Sequence, residues 1–191
     1  MKLKVPYYSQ KIDVKDPGWK DHGCGITCLK MVLDFHAKES VPSVDDLIQE
    51  GISMDGLTKE YNWKHDALVN IARNYGLHAY KQEFKSHTFD ISEKKFHISK
   101  HEDTLTKDGI KKIVSILQTG LPVIVSAIKK FKHTDKFHMV VLVGIEGDES
   151  DLKGFYYHDP DAESVEEGKN QFVDMETFKT HWRKMAIFSG S

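Results

Sequence analysis

Residues 22–36, HGCGITCLKMVLDFH, constrain this chain more than any other stretch. Two glycines flank Cys24, and a mostly apolar run follows. Between 27 and 34 the only polar residues besides Cys28 are Thr27, Lys30 and Asp34. Their spacing places them on one narrow stripe of a helix. The rest of that helix is apolar, which predicts a largely buried central helix. Cys24 falls in its first turn, beside backbone N–H groups that find no partner within the helix. Those groups and the helix dipole favour negative charge there, and the thiolate is the nucleophilic form of cysteine. Gly23 and Gly25 predict close approach by another part of the chain or by a substrate. Cys28, one turn on, reads as a small buried hydrophobe.

The 191 residues suit a single domain spanning 1–191, with enough length to bury a core. Net charge is −2 with both signs interspersed, so no nucleic-acid partner is implied. No segment approaches the roughly 20 apolar residues of a membrane span, and no membrane partner is expected. The N-terminus, MKLKVP, carries no apolar run and does not read as a signal peptide. Two cysteines do not make a disulfide framework. Four residues apart on a helix, their Cβ atoms would be about 5–6 Å apart, whereas a disulfide needs about 3.5–4.5 Å. Both are expected as free thiols, and the expected setting is a reducing cytoplasm.

Further along, residues 5–10 read as extended and 11–18 as a polar loop. Ser43 to Asp46 resembles a capping box opening a short helix that Gly51 ends. Leu68, Ile71, Ala72 and Tyr75 follow helical spacing, with Gly76 as the stop. Residues 77–84 read as a strand. The charged, aperiodic stretch 86–107, with His87, His97 and His101, predicts a long loop or inserted hairpin, part of it bordering a cleft as a wall or lid. Asp108-Gly109 is expected to start another helix. Strands follow at 122–128, 138–145, 154–159 and 185–188, with a short helix at 174–178. Helices first and mostly adjacent strands afterwards argue for an α+β fold, with helices against one face of an antiparallel sheet.

A cysteine nucleophile needs a base, and the base needs a group that orients it. His138 opens an apolar strand, where its imidazole could meet a cleft. Asp159 ends the next strand, just before Pro160. A symmetric hairpin turning between Asp148 and Glu149 would set the two directly opposite, with Cβ atoms about 4.5–5.5 Å apart.

These pieces together carry a resemblance. VPYYSQ at 5–10, Gly23-Cys24-Gly25 opening a buried helix, FHMVVLVGI at 137–145 and His158-Asp159-Pro160 look like the papain-like cysteine peptidases. Within them the chain is most similar to the bacteriocin-processing type, which cuts after double-glycine leaders, and its stand-alone relatives. WKHDAL at 63–68 through Tyr75-Gly76-Leu77 resembles the next helix of the stand-alone members. The resemblance implies a papain-like fold, with the N-terminal central helix carrying the cysteine against an antiparallel sheet carrying His and Asp. It implies Cys24 as nucleophile, His138 as general base, Asp159 as orienting group and Gln10 as a side-chain donor to the oxyanion hole. Gln10 lies fourteen residues before Cys24, a longer gap than in leader peptidases. No transporter or ATP-binding region follows in these residues, so a leader peptide is not carried over as substrate.

The implied activity is that of a cysteine peptidase on a peptide or amide substrate, without cofactor. Two alternatives stand beside it. One is amide hydrolysis or acyl transfer on a non-protein substrate such as peptidoglycan peptides; the other is a peptidase-like binding module without turnover. A zinc site from His22, Cys24, Cys28 and His36 is disfavoured, because one helix cannot converge all four on one ion.

Overall fold

The structure, a computed structural model, describes residues 1–37, 40–85, 87–90, 95–98, 101–132, 136–148 and 151–190. Its order is α1 (Cys24–His36), α2 (Val44–Ser53), α3 (His65–Asn74), β1 (His78–Glu83), β2 (His87–Asp90), β3 (Lys95–Ile98) and α4 (Glu102–Gln118). Then come β4 (Val123–Ile128), β5 (Phe137–Glu146), β6 (Gly154–His158), α5 (Val165–Gly168), β7 (Gln171–Asp174), α6 (Met175–His181) and β8 (Trp182–Gly190). Six strands form one antiparallel sheet in the order β1-β8-β4-β5-β6-β7, while β2 and β3 pair separately. The α+β reading holds.

Helices lie on both faces of the sheet, not on one as expected. Met139, Val141 and Val143 of β5 join a core with α1, α2 and α3. Val140 and Leu142 of the same strand join a second core with α4 and α6. This explains why β5 is an unbroken apolar run: a strand covered on both faces has no polar side.

Helix α1 is buried from Gly25 to Leu33, Thr27 and Lys30 of its polar stripe included, with Asp34 half-buried. Lys30 donates from Nζ to Asp34 Oδ1 at 2.9 Å and to the Val41 carbonyl at 3.2 Å. Tyr8 Oη donates to Asp34 Oδ2 at 2.6 Å. Lys30 and Asp34 are thus satisfied inside the protein, which is how a helix with a lysine can be enclosed, whereas Thr27 Oγ1 is buried without a partner among the described residues.

The capping box forms as read, with Ser43 and Asp46 bonded reciprocally. Gly51 does not end α2 but lies in its last turn, buried beneath the Trp63 ring. Helix α4 begins at Glu102, not at Asp108, with Glu102 and Asp103 supplying the acidic first turn. The 86–107 stretch therefore divides between the β2–β3 hairpin and the start of α4. Residues 86, 91–94, 99 and 100 of the expected wall or lid lie outside those described. Strand β7 went unread, and β8 is longer than expected because it pairs with both β1 and β4.

The β5–β6 register also differs. Val141 faces His158, Glu146 faces Gly154, and a shift falls between Leu142 and Gly144. The hairpin is not symmetric about Asp148 and Glu149, so His138 and Asp159 are not a cross-strand pair. Beyond the start of β4, the N-terminal residues take its place along β5. Leu3 N–H donates to the Val143 carbonyl at 2.7 Å, and Met1 donates to that of Ile145 at 2.9 Å.

Gly109 marks the tightest approach of α4 to the sheet. A Cβ there would lie 2.6 Å from both Phe84 Cγ and Trp182 Cη2, two buried rings that cannot yield separately. Gly109→Ala is expected to lower stability by about 1–3 kcal/mol, since overpacking outweighs the gain in helix propensity. Urea unfolding measures this; an unchanged or raised midpoint would contradict the packing described.

Candidate functional site

The N-terminus of α1, the start of β5, the end of β6 and the N-terminal segment meet at one end of a cleft of about 810 Å³. Gly23 caps α1 without a side-chain hydrogen bond, leaving the first-turn N–H groups free to face the cleft. The flanking glycines allow close approach by the protein itself. A Cβ on Gly23 would lie 3.2 Å from Gln10 Cβ, and one on Gly25 would crowd Trp63 Cβ at 3.1 Å and Met139 Sδ at 3.3 Å. A side chain at 25 would require Trp63, Leu68 or Met139 to give by a few tenths of an ångström. Trp63 also donates from Nε1 to the His22 carbonyl at 2.6 Å, fixing the turn before Cys24.

The four residues expected at the site lie together. His138 Nε2 is 2.7 Å from Asp159 Oδ1, and both groups are buried. Cys24 lies beside His138 in the cleft and favours its charged form; with Nε2 engaged by the carboxylate, Nδ1 is the nitrogen left for sulfur. Cys24 is half-buried, whereas Cys28 is fully enclosed. Asp159 Oδ1 also accepts from the Asp161 N–H at 2.9 Å.

Electrostatics follow from these contacts. Burial works against a charged His138, but the hydrogen bond to Asp159 and the neighbouring Cys24 outweigh it and raise the imidazole from 6.5 to about 10. Burial likewise works against a charged Asp159, and the bond from His138 outweighs it, lowering that carboxyl. His138 is thus favoured in its charged form at neutral pH, between the Asp159 carboxylate and the Cys24 sulfur. Burial pushes the Cys28 thiol well up, so it stays protonated.

Gln10 is 2% exposed, and its Nε2 donates to Asp161 Oδ1 at 2.6 Å. It reaches the site because the N-terminal segment is tied to the loop after β6. Gln10 N–H donates to the Pro160 carbonyl at 2.7 Å, Ser9 Oγ to that of Ala162 at 2.6 Å, and Tyr7 Oη to that of Asp159 at 3.0 Å. Fully buried His158 places Nε2 3.1 Å from the Val5 carbonyl.

Several cleft residues went unread in the sequence. His65 Nε2 lies 3.0 Å from Ser126 Oγ, and burial lowers this histidine to about 4, so it is neutral. Arg183 stacks over Phe137 at 3.4 Å from the ring centroid. Lys129 pairs with Asp161 at 2.6 Å. Of the two acidic residues in Asp159-Pro160-Asp161, only the first gave a sequence signal. Among the described residues no group of three or more His, Cys, Asp or Glu is placed to hold a metal ion. Among them, too, no helix is long and apolar enough to cross a membrane.

A family model described as the Peptidase_C39 like family matches residues 2–187. The chain is similar in structure to a C39-like peptidase candidate from Bacillus anthracis, at TM-score 0.64 and 20% identity, covering 100% of this chain and 98% of that one. It is similar to a double glycine motif protease from an AMS/PCAT transporter, solved in complex with the leader peptide, at TM-score 0.55 and 22% identity, covering 100% and 94%. It is also similar to the peptidase domain of Streptococcus ComA, a bi-functional ABC transporter, at TM-score 0.58 and 19% identity, covering 99% and 97%. No match to a curated protein was found.

The buried pair makes stability pH-dependent in a defined way. The His138 contribution is full below the unfolded value near 6.5 and fades as pH rises toward about 10. The Asp159 contribution is present above the unfolded carboxyl value and fades as pH falls below it. Asp159→Asn is therefore expected to cost most between about pH 5 and 6.5, on the order of 3 kcal/mol for a broken buried pair. Denaturant unfolding across pH should show the gap to wild type narrowing on both sides of that window. A gap independent of pH would contradict the ion pair.

Proposed function

Because the chain belongs to the Peptidase_C39 like family, matched over residues 2–187, we propose that it is a working cysteine peptidase, one catalytic unit across 1–191. The observation that carries this reading is the continuous series Asp159–His138–Cys24, ending on a half-buried thiol at a helix N-terminus inside a cleft. A fold kept only for binding has no use for a buried imidazole held charged beside a thiol.

In this reading the Cys24 proton rests on His138, and the resulting thiolate attacks the carbonyl carbon of a peptide bond. The resulting oxyanion accepts from the Cys24 backbone N–H and from a Gln10 side-chain N–H. His138, already protonated, donates its Nδ1 proton to the leaving amine, and the C–N bond breaks. A thioester remains on Cys24. Water then attacks it, with neutral His138 taking the proton, and Cys24 is released. Asp159 keeps Nε2–H in place throughout and stabilises the imidazolium, without itself taking the proton. The cleft is lined by Tyr61, Trp63, Phe137, Met139 and Arg183 among others, a mixed aromatic and polar surface that suits a polypeptide. The reaction needs Cys24 reduced, which fits a reducing compartment.

The two cysteines serve as internal controls. Cys24→Ala is expected to abolish hydrolysis of a fluorogenic peptide library and alkylation by iodoacetamide, with stability nearly unchanged. Cys28→Ala should keep both activities and lose about 1 kcal/mol to a small cavity. His138→Ala should reduce hydrolysis by roughly 10²–10⁴ and slow alkylation. Hydrolysis that survives Cys24→Ala would sink the reading.

A further inference from the structure

Gln10 can donate to an oxyanion only if the nitrogen end of its amide faces the cleft. The two ends of an amide have nearly the same shape, so packing alone does not choose between them. Here Nε2 donates to Asp161 Oδ1 at 2.6 Å, while Oε1 is buried without a partner among the described residues. Turning the amide over would set Oε1 against a carboxylate oxygen at that distance, two acceptors with no hydrogen between them. The Asp161 carboxylate therefore selects the orientation. One N–H is spent on Asp161, and the second remains for the cleft that Gln10 lines together with Cys24 and His138.

Asp161 is held in place for this purpose. It is 7% exposed, and its Oδ2 lies 2.6 Å from Lys129 Nζ, with Lys11 Nζ 3.5 Å from Oδ1. A bare carboxylate beside a forming oxyanion would repel it; the lysines offset that charge. The backbone N–H of the same residue donates to Asp159 Oδ1. One residue thus touches both halves of the site, by main chain on the imidazole side and by side chain on the Gln10 side.

We propose that Asp161 is a positioning residue of the oxyanion hole: its carboxylate fixes the Gln10 amide with an N–H toward the cleft, and Lys129 is its counter-ion. The proposal rests on the reading of Gln10 and Cys24 given above. Because the main-chain bond to Asp159 survives any side-chain change, replacing Asp161 separates the two halves.

Two reagents read those halves in the full-length protein. Iodoacetamide alkylates the Cys24 sulfur with loss of iodide and forms no oxyanion. p-Nitrophenyl acetate acetylates the same sulfur: the S–C bond forms, a tetrahedral oxyanion is passed, and p-nitrophenolate leaves. Release is read above the Cys24→Ala background. Asp161→Ala and Gln10→Ala are each expected to slow acetylation at least about tenfold, as loss of an oxyanion donor does, with alkylation changed little. In a Gln10→Ala background, Asp161→Ala should add nothing further, because the two act as one unit. Asp161→Asn should recover most of the loss. Its carbonyl oxygen goes to buried Gln10, which has no other acceptor, while Lys129, with a side chain 29% exposed, turns to water. If the alanine variant does not fold, Asp161→Ser, too short to reach Gln10, repeats the test. Acetylation and alkylation slowed alike, or an equal loss in the Gln10→Ala background, would make Asp161 a structural support only and overturn the proposal. Acetylation unchanged in Asp161→Ala would overturn it and leave the peptidase reading standing. Wild-type protein that is alkylated but never acetylated would remove that reading, and this proposal with it.

Discussion

Asp159 is a carboxylate taken out of water, which is costly unless every lone pair finds a partner. His138 Nε2–H and the Asp161 N–H satisfy Oδ1. The residue's own N–H donates to the Gly168 carbonyl at 2.8 Å, and its carbonyl accepts from Tyr7 Oη. These bonds reach β5, the loop after β6, α5 and the N-terminal segment. Satisfying this one buried residue, side chain and main chain together, draws in parts of the chain separated by up to 152 residues. Those parts are the ones that carry the candidate chemistry.

Cys24 is delivered to this point by packing of a different kind. Helix α1 is enclosed on nearly every side, and its N-terminus lies against β5 because Gly25 has no side chain to keep Trp63 and Met139 away. Apolar burial holds the helix axis, and the part-buried Lys30–Asp34 pair with Tyr8 satisfies two residues of its polar stripe. The thiol is therefore positioned by a rigid element rather than by a loop, which favours a fixed distance to the imidazole. Cys28 shows the contrast: the same helix, one turn on, gives a thiol with no access to solvent and no base.

Solved structures at 19–22% identity share this fold over nearly its whole length. On such a frame the side chains that line the cleft, rather than the architecture, bear on what it accepts. Neutral His65 sits on Ser126, Arg183 stacks over Phe137, and Lys129 pairs with Asp161. Each is a local choice on a shared frame, and such choices decide which substrate a site accepts.

The sequence by itself determined the elements whose signal is local. The apolar run after Cys24, the Ser43–Asp46 capping box, the helix stopped at Gly76 and the β4, β5 and β6 runs were all legible, because helix period, caps and apolar continuity lie within a few residues. So was the ordered set Gln10, Cys24, His138 and Asp159, through the family resemblance it carries. The start of α4 was misread at Gly109, because a glycine that serves close packing against Phe84 and Trp182 looks, in sequence, like one that breaks a helix. Only the tertiary structure decided the β5–β6 register, the helices on the second face of the sheet, and the meeting of Gln10 with Asp161. A one-residue bulge, a partner sheet face and a hydrogen bond across 151 residues leave no local pattern. They follow from which buried groups must be satisfied together once the chain is packed.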